Sequence, residues 1–459
     1  MTGLVTSGQN ILPWTTSKAY TLRDANAEND RLINQFARWN QAKSLDEFIG
    51  LHKSTLGIPW VNTIASGPNG KAYYGDVSVV PHVTDAKAQQ CSTSSQAQAL
   101  AAVAPGLPLL DGSLAACEWG DDTANPDADG VNAPAPGIFG PKNLPTLQRD
   151  DWVHNCNDSY WLSNPAAPIT GFAKIIGPVG SERSLRTRLC MQHVLRHLDQ
   201  PGKDAVVAAA DSDSDKRFTL EELQNTVLSS QIYSAQLARD EALSGLCATG
   251  TVVTQAGPVN VAAACNVLRT WDMAANHDSV GAHIWREFFR LAAAVNGRWL
   301  TPFSAGNPAN TPRGLNTANP QIQDAFGRAV KSIQDKGFAF DATLGSLQHP
   351  KFIDPAIPIF GGEGVEGAFT IVTTGTLQAQ KGYEVFYGNS YIQTVTWEQD
   401  GEGFKPRAEG FITYSQSTDP ASPHFSDFTR EYSAKRWKRF PFTPAEIEVD
   451  KISRVQLTN

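Results

Sequence analysis

No stretch of about 18 apolar residues occurs in this chain, so the sequence offers no helix able to cross a bilayer. Residues 1–20 lack a basic start running into an apolar segment, and no export signal is visible there. Nowhere is there a G-x-S-x-G elbow, which excludes the serine-nucleophile turn of an α/β-hydrolase. The six cysteines form no C-x-x-C pair, which argues against a zinc ribbon or a thioredoxin-type site. Basic residues are outnumbered, 38 Lys and Arg against 46 Asp and Glu, for a formal net charge of −8. That balance disfavours nucleic acid or an anionic membrane as partner. No internal repeat is found.

A hydrophobic share of 41% beside 18% charged residues suits a globular chain with a sizeable core, and 459 residues suggest two or three domains. Its 28 Pro and 37 Gly call for many turns and long loops. Cys91 with Cys117, and Cys247 with Cys265, bracket short polar Ala- and Gly-rich loops. Disulfides at both are expected, and with them an oxidising compartment; buried free thiols are the alternative.

Apolar spacing predicts helix over 20–56, where Leu32, Phe36, Trp39 and Ala42 recur every three or four residues. Strands are expected over 58–82 around the turn Gly67-Pro68-Asn69-Gly70, then a long surface excursion over 84–148. Helical patterns follow at 184–198, 219–232, 258–275, 279–295 and 321–337. Strand patterns return at 367–375, 382–387, 391–398 and 409–416. The order strand, helix block, strand predicts an α+β fold whose sheet is assembled from distant segments.

The densest chemistry lies in Asp151-Trp152-Val153-His154-Asn155-Cys156-Asn157-Asp158-Ser159-Tyr160-Trp161. Side chains of Asn, Asp and Ser compete for local backbone hydrogen bonds, so such a run suits a turn or a site needing fixed amide donors. Beyond it come Trp161-Leu162-x-Asn164-Pro165 and Leu185-Arg186-x-Arg188-Leu189. Together these motifs resemble the penicillin-amidase family of N-terminal-nucleophile hydrolases, and within it the acyl-homoserine-lactone and lipopeptide acylases. Matching motifs recur in the same order elsewhere: Gly57-Ile58-Pro59-Trp60-Val61-Asn62-Thr63, Val79-Val80-Pro81, and Pro108 to Gly112. Later come Ser415-Gln416-Ser417-x-Asp419-Pro420-x-Ser422-Pro423-His424, Tyr432-Ser433-x-Lys435-x-Trp437, and Pro441-Phe442. The resemblance spans roughly residues 11–450.

The resemblance implies a four-layer αββα sandwich, incomplete at its N-terminus and carrying a helical insert. Its parts would be core strands and a long loop over 1–184, the insert over 185–345, and C-terminal core strands over 346–459. An N-terminal Ser, its own α-amino group acting as base, would attack the carbonyl of an N-acyl amide. Asn157 would donate its carboxamide to the oxyanion, with Arg186 holding Asn157 in register and Arg188 as the competing candidate. Trp60, and more weakly Phe36, would line an apolar acyl pocket. Asn155 would shape the turn.

No Ser occupies the nucleophile position of the family. Thr2, were Met1 removed, does not replace it, because residues 11–60 match the interior of the large chain. The nucleophile, the small subunit and the upstream part of the large subunit are therefore expected to be missing partners. The substrate would be a small N-acyl molecule, the complete protein would be periplasmic or secreted, and no cofactor is implied.

Other patterns are weaker. Asp211, Asp213, Asp215 and Glu222 imitate a calcium loop, but Lys216 stands where the turn wants Gly, and Thr219-x-x-Glu222 reads as a helix cap. Gly362-Glu363-Gly364-Val365-Glu366-Gly367 has dinucleotide spacing, yet two carboxylates would repel a pyrophosphate. His193 and His197 read as exposed helix histidines, and His424, near Asp427, as a turn anchor.

Overall fold

The computed structural model describes residues 5–6, 9–68, 70–199 and 216–456. The chain divides into two compact units, Met1–Ser181 and Glu182–Asn459. Helices and short sheets are mixed throughout, so the fold is α+β.

In the first unit, the long helix expected over 20–56 is two helices, α1 (Arg31–Trp39) and α2 (Leu45–Thr55). Ser44 interrupts it: its side chain accepts from the Glu47 N–H at 3.1 Å, and Glu47 accepts from the Lys43 N–H at 2.8 Å. Those bonds satisfy orphan donors at the start of α2, so a new helix begins where apolar spacing alone reads straight on. At the far end Leu56 adopts a left-handed backbone, φ 44°, and turns the chain toward the Gly57–Trp60 segment.

Strands Thr63–Ser66, Ala72–Gly75 and Thr146–Arg149 form an antiparallel sheet with Ala72–Gly75 in the middle. Between the last two, the stretch expected as a surface excursion carries α3 (Asp85–Cys91) and α4 (Ser95–Val103). It is no mere excursion. Ala133, Ile138, Phe139 and Leu144 return from it to pack with Leu56, Val77 and Val79.

The second unit holds α5 (Leu185–Asp199), α6 (Leu220–Val227), α7 (Tyr233–Gly245), α8 (Ala262–Thr270), α9 (Ala282–Ala292) and α10 (Pro320–Asp335). The sequence pattern missed α7 and the hairpin Thr251–Thr254/Gly257–Asn260 that follows it. Trp285, Phe288 and Phe289 of α9 pack with Phe326, Val330 and Ile333 of α10 in the main core. Strand Tyr383–Gly388 lies between Gln348–Pro350 and Val372–Thr374. Tyr391–Asp400 pairs with Gly403–Ile412, which also pairs with Lys438–Phe440. The C-terminal part also carries two helices, α11 (Asp427–Ser433) and α12 (Pro444–Asp450). The helical stretch 185–345 and the strands after 346 thus belong to one compact unit.

Both expected disulfides are formed, Cys91–Cys117 and Cys247–Cys265, and no described cysteine is a free thiol. Cys247–Cys265 ties the loop after α7 to α8, with the hairpin between them. Replacing both cysteines with alanine is expected to destabilise the chain by about 3 kcal/mol, the loop-closure value for a span of this size. Urea denaturation of the pair variant checks it; an unchanged midpoint would leave the bridge without a stabilising role.

Candidate active-site cleft

In the first unit, the polar run is braced into a rigid turn. Arg149 holds Asp151 through two hydrogen bonds of 2.6 and 2.8 Å. The His154 N–H reaches Ser163 O at 2.9 Å, and the His154 Nε2–H donates to Leu162 O at 2.8 Å, which fixes the ring. Burial pushes the His154 imidazole down to about 4, so it stays neutral. Asn164 donates to Trp152 O at 2.9 Å and accepts from the Ala166 N–H at 2.9 Å.

At the tip, Asn155 Oδ1 accepts from the Asn157 N–H at 2.8 Å and Asn155 Nδ2 donates to Asp158 O at 2.9 Å. Asn155 thus grips the backbone on both sides of Asn157. The peptide in between is driven to φ 55° at Asn157, a left-handed conformation that Asn tolerates better than most residues. Asn157 consequently stands exposed on the turn.

It stands on a wall of a cleft of about 1050 Å³. Trp60, 76% exposed, lines the same cleft, which rules out an ordinary core tryptophan. Val61, Ile64, Val79, Ile175 and Ile176 add apolar surface, while Asp76, Ser78, Asp158 and Ser159 add polar groups. Phe36 is not part of it; it sits half-exposed on α1, edge-on to Trp39 at 5.6 Å. Arg186 lies at the start of α5 in the second unit. Its competitor Arg188 is no surface cation: fully buried, it donates to Pro312 O at 2.8 Å and Ala309 O at 3.3 Å.

Asp76 was missed from sequence. Burial pushes its carboxyl up to about 6, with only the Ser78 hydroxyl, 3.2 Å away, favouring the charged form. The available signal was an acid inside the apolar run Tyr73–Pro81, since acids are depleted in strands. A folded value above the unfolded one means the native state binds the proton more tightly. Stability is therefore full below about pH 4 and lost as pH rises through about 6. Asp76→Asn is expected to be more stable than the parent at pH 8 by about 2–3 kcal/mol and equal to it near pH 4. Denaturant midpoints at the two pH values test this, and a constant difference between them would refute it.

Three other expectations are settled by geometry. His193 and His197 are buried, not exposed, because α5 turns them inward with Leu189 and Cys190. His193 meets Phe369 edge-on, and burial pushes it down to about 3; His197 stacks on Phe218 at 4.0 Å. Glu222 is a helix cap, its carboxylate accepting from the Thr219 N–H at 2.6 Å, while Asp211, Asp213 and Asp215 lie outside the described residues. His424 does anchor a turn, bonded to Asp427 at 2.7 Å; the Ser415 hydroxyl donates to that same carboxylate and not to the imidazole.

The glycine-rich hexapeptide proves to be half of a buried ion network. Glu366 pairs with Arg286 at 3.0 Å, both sealed from solvent, and Glu363 accepts from Arg290 at 2.8 Å. Burial pushes the Glu366 carboxyl upward, opposed by the Arg286 charge beside it.

The structure shows an α+β chain with Asn157 exposed on a cleft of mixed apolar and polar lining. A family model matches residues 2–449, and this chain belongs to the penicillin amidase family. It is 35% identical over 445 residues to aculeacin-A acylase of Actinoplanes utahensis, covering 96% of this chain and 53% of that protein. It is 34% identical over 463 residues to the acyl-homoserine lactone acylase PvdQ of Pseudomonas savastanoi pv. phaseolicola, covering 99% and 54%. The chain spans about half the length of the curated relatives it matches.

Proposed function

We propose that this chain forms part of an amide hydrolase that cleaves N-acyl amides into a fatty acid and a free amine. The observation that carries the reading is Asn157, its backbone pinned by Asn155, exposed on the wall of a cleft that Trp60, Val61, Ile64 and Ile176 also line, in a penicillin-amidase chain. The acyl group would lie along Trp60 and the neighbouring aliphatic side chains, each methylene removed from water contributing about 0.8 kcal/mol. Asn157 would donate its carboxamide to the carbonyl oxygen as it becomes negative, and the turn that pins its backbone would limit the reorganisation needed as charge develops. Arg186 would keep that amide in register. In this reading the attacking serine comes from polypeptide other than these 459 residues, whose first strands would also complete a four-layer αββα sandwich. The two disulfides suit a periplasmic or secreted enzyme.

N-acyl-homoserine lactone is the substrate we favour, on the likeness to the acyl-homoserine lactone acylases. A second reading, a bulkier acylated amine such as aculeacin A, is supported by the likeness to aculeacin-A acylase and by a cleft roomy enough for more than a lactone. Supplying the chain with the unmatched half of a relative and assaying both substrates for free amine tests the proposal. Release from either supports an acylase. Turnover by the chain alone would refute an external nucleophile, and none in the assembly would refute the function.

A further inference from the structure

Asn62 and Asp76 flank the first two strands of the sheet in the first unit. The register sets Ile64 opposite Tyr74 and Thr63 opposite Gly75, so one residue further along Asn62 and Asp76 become neighbours. Both line the cleft that holds Asn157, together with Ile64 and Ser78. Protein contacts hold one end of each. The Asp76 N–H donates to Pro145 O at 2.9 Å, and the Ser78 hydroxyl donates to Asp76 Oδ1 at 3.2 Å. Asn62 Oδ1 accepts from the hydroxyl of the buried Tyr74. What is left over on the two side chains is complementary. Among the described residues no cation pairs with Asp76, and no side chain or carbonyl accepts from the Asn62 Nδ2 hydrogens. A carboxylate acceptor and an amide donor thus stand next to each other in the cleft. Keeping that carboxyl half-buried without a counter-ion costs stability, a cost that a binding role explains and packing does not.

We propose that Asp76 and Asn62 form the amine-side subsite of the cleft, Asp76 accepting from the N–H of the amide to be cut and Asn62 donating to a carbonyl one carbon away from that nitrogen. The substrates so selected are N-acyl derivatives of α-amino acids, as lactone, ester or amide. The proposal rests on the acylase reading above. In a trans amide the C=O and N–H point in opposite directions, so an acceptor for the N–H must come from another element than the donor to the oxygen. Here the turn supplies Asn157 and the sheet supplies Asp76. The N–H and C=O of one extended residue lie on the same side of its chain, and cross-strand neighbours with Cβ atoms about 4.5–5.5 Å apart can address both. A site built to bond a polar group discriminates against analogues that lack it, because its own polar groups are then left unpaired.

Isothermal calorimetry of the chain with N-octanoyl-homoserine lactone and two analogues tests the subsite. The octanoate ester of α-hydroxy-γ-butyrolactone lacks the N–H, and N-cyclopentyloctanamide lacks the lactone carbonyl. At about pH 7.5 the homoserine lactone should bind at least about 10-fold tighter than the ester, the worth of a bond to a charged acceptor, and about 5-fold tighter than the cyclopentyl amide. The first preference should shrink as pH falls through about 6, where Asp76 takes up a proton. Tyr74 and Tyr160, whose phenols feel that carboxylate, are pushed upward and keep their protons over this range. Asp24, Asp158 and Arg23 line the same cleft, so Asp76→Asn, which should flatten the pH dependence, assigns the step. Asn62→Ala should erase the second preference alone; Asn62→Asp, which keeps an acceptor for Tyr74 and loses the donor, replaces it if circular dichroism shows the alanine variant unfolded. Preferences equal in parent and variants overturn the proposal, and so does failure to bind any of the three. Amine release by the chain supplied with the unmatched half of a relative is read separately. Release without these preferences sinks the subsite alone, and preferences without release sink the acylase reading alone.

Discussion

On the reading proposed above, removing the side-chain amide of Asn157 is expected to lower turnover of the reconstituted enzyme by about 10²–10³, the usual cost of one oxyanion donor. Two variants separate the amide from the backbone. Asn157→Ala puts alanine at φ 55°, which costs about 1–2 kcal/mol on its own. Asn157→Gly accepts that conformation freely, yet carries no donor. Equal losses of turnover in both, with stability near the parent only in the glycine variant, would assign the effect to the carboxamide. KM should change little, because the bond strengthens only as charge develops. Near-normal turnover in Asn157→Gly would remove Asn157 from the chemistry.

The largest effect on stability is expected at Glu366. Its carboxylate and the Arg286 guanidinium face each other at 3.0 Å without access to water, and Arg286 is further held by Gln348 and by Gly361 O at 3.0 Å. Glu366→Gln leaves the Arg286 charge buried in the second unit without its ion-pair partner, at a cost of about 3–5 kcal/mol. Arg436→Ala, which breaks the solvated pair with Glu431, provides the contrast and should cost no more than about 1 kcal/mol. Urea midpoints of the two variants test the claim. A small effect at Glu366 would mean that water reaches the pair.

Local signals in the sequence survive where the physics is local. The Thr219–Glu222 cap, the turn built by Asn155 and both short-range disulfides depend on residues close along the chain, and each is found as read. Periodicity was less reliable over 20–56, where Ser44 starts a new helix inside an apolar pattern that continues through it. The absence of a third ligand beside His193 and His197 pointed to exposed histidines, yet both are buried, since two polar rings on a helix say nothing about which face the rest of the unit covers. The glycine-rich hexapeptide offered no hint of its partners, because Arg286 and Arg290 lie more than seventy residues earlier.

The residues themselves determined the family, since ordered motifs along nearly the whole chain carry it, and they marked Asn157 and Trp60 as the side chains to watch. Only the folded chain brought those two to one cleft, excluded Phe36 from it, buried Arg188 and placed Asp76 on the wall. The reason is range. A cap or a turn is decided by neighbours within a few positions, whereas a cleft wall and a buried charge are decided by which distant segments come to exclude water from them.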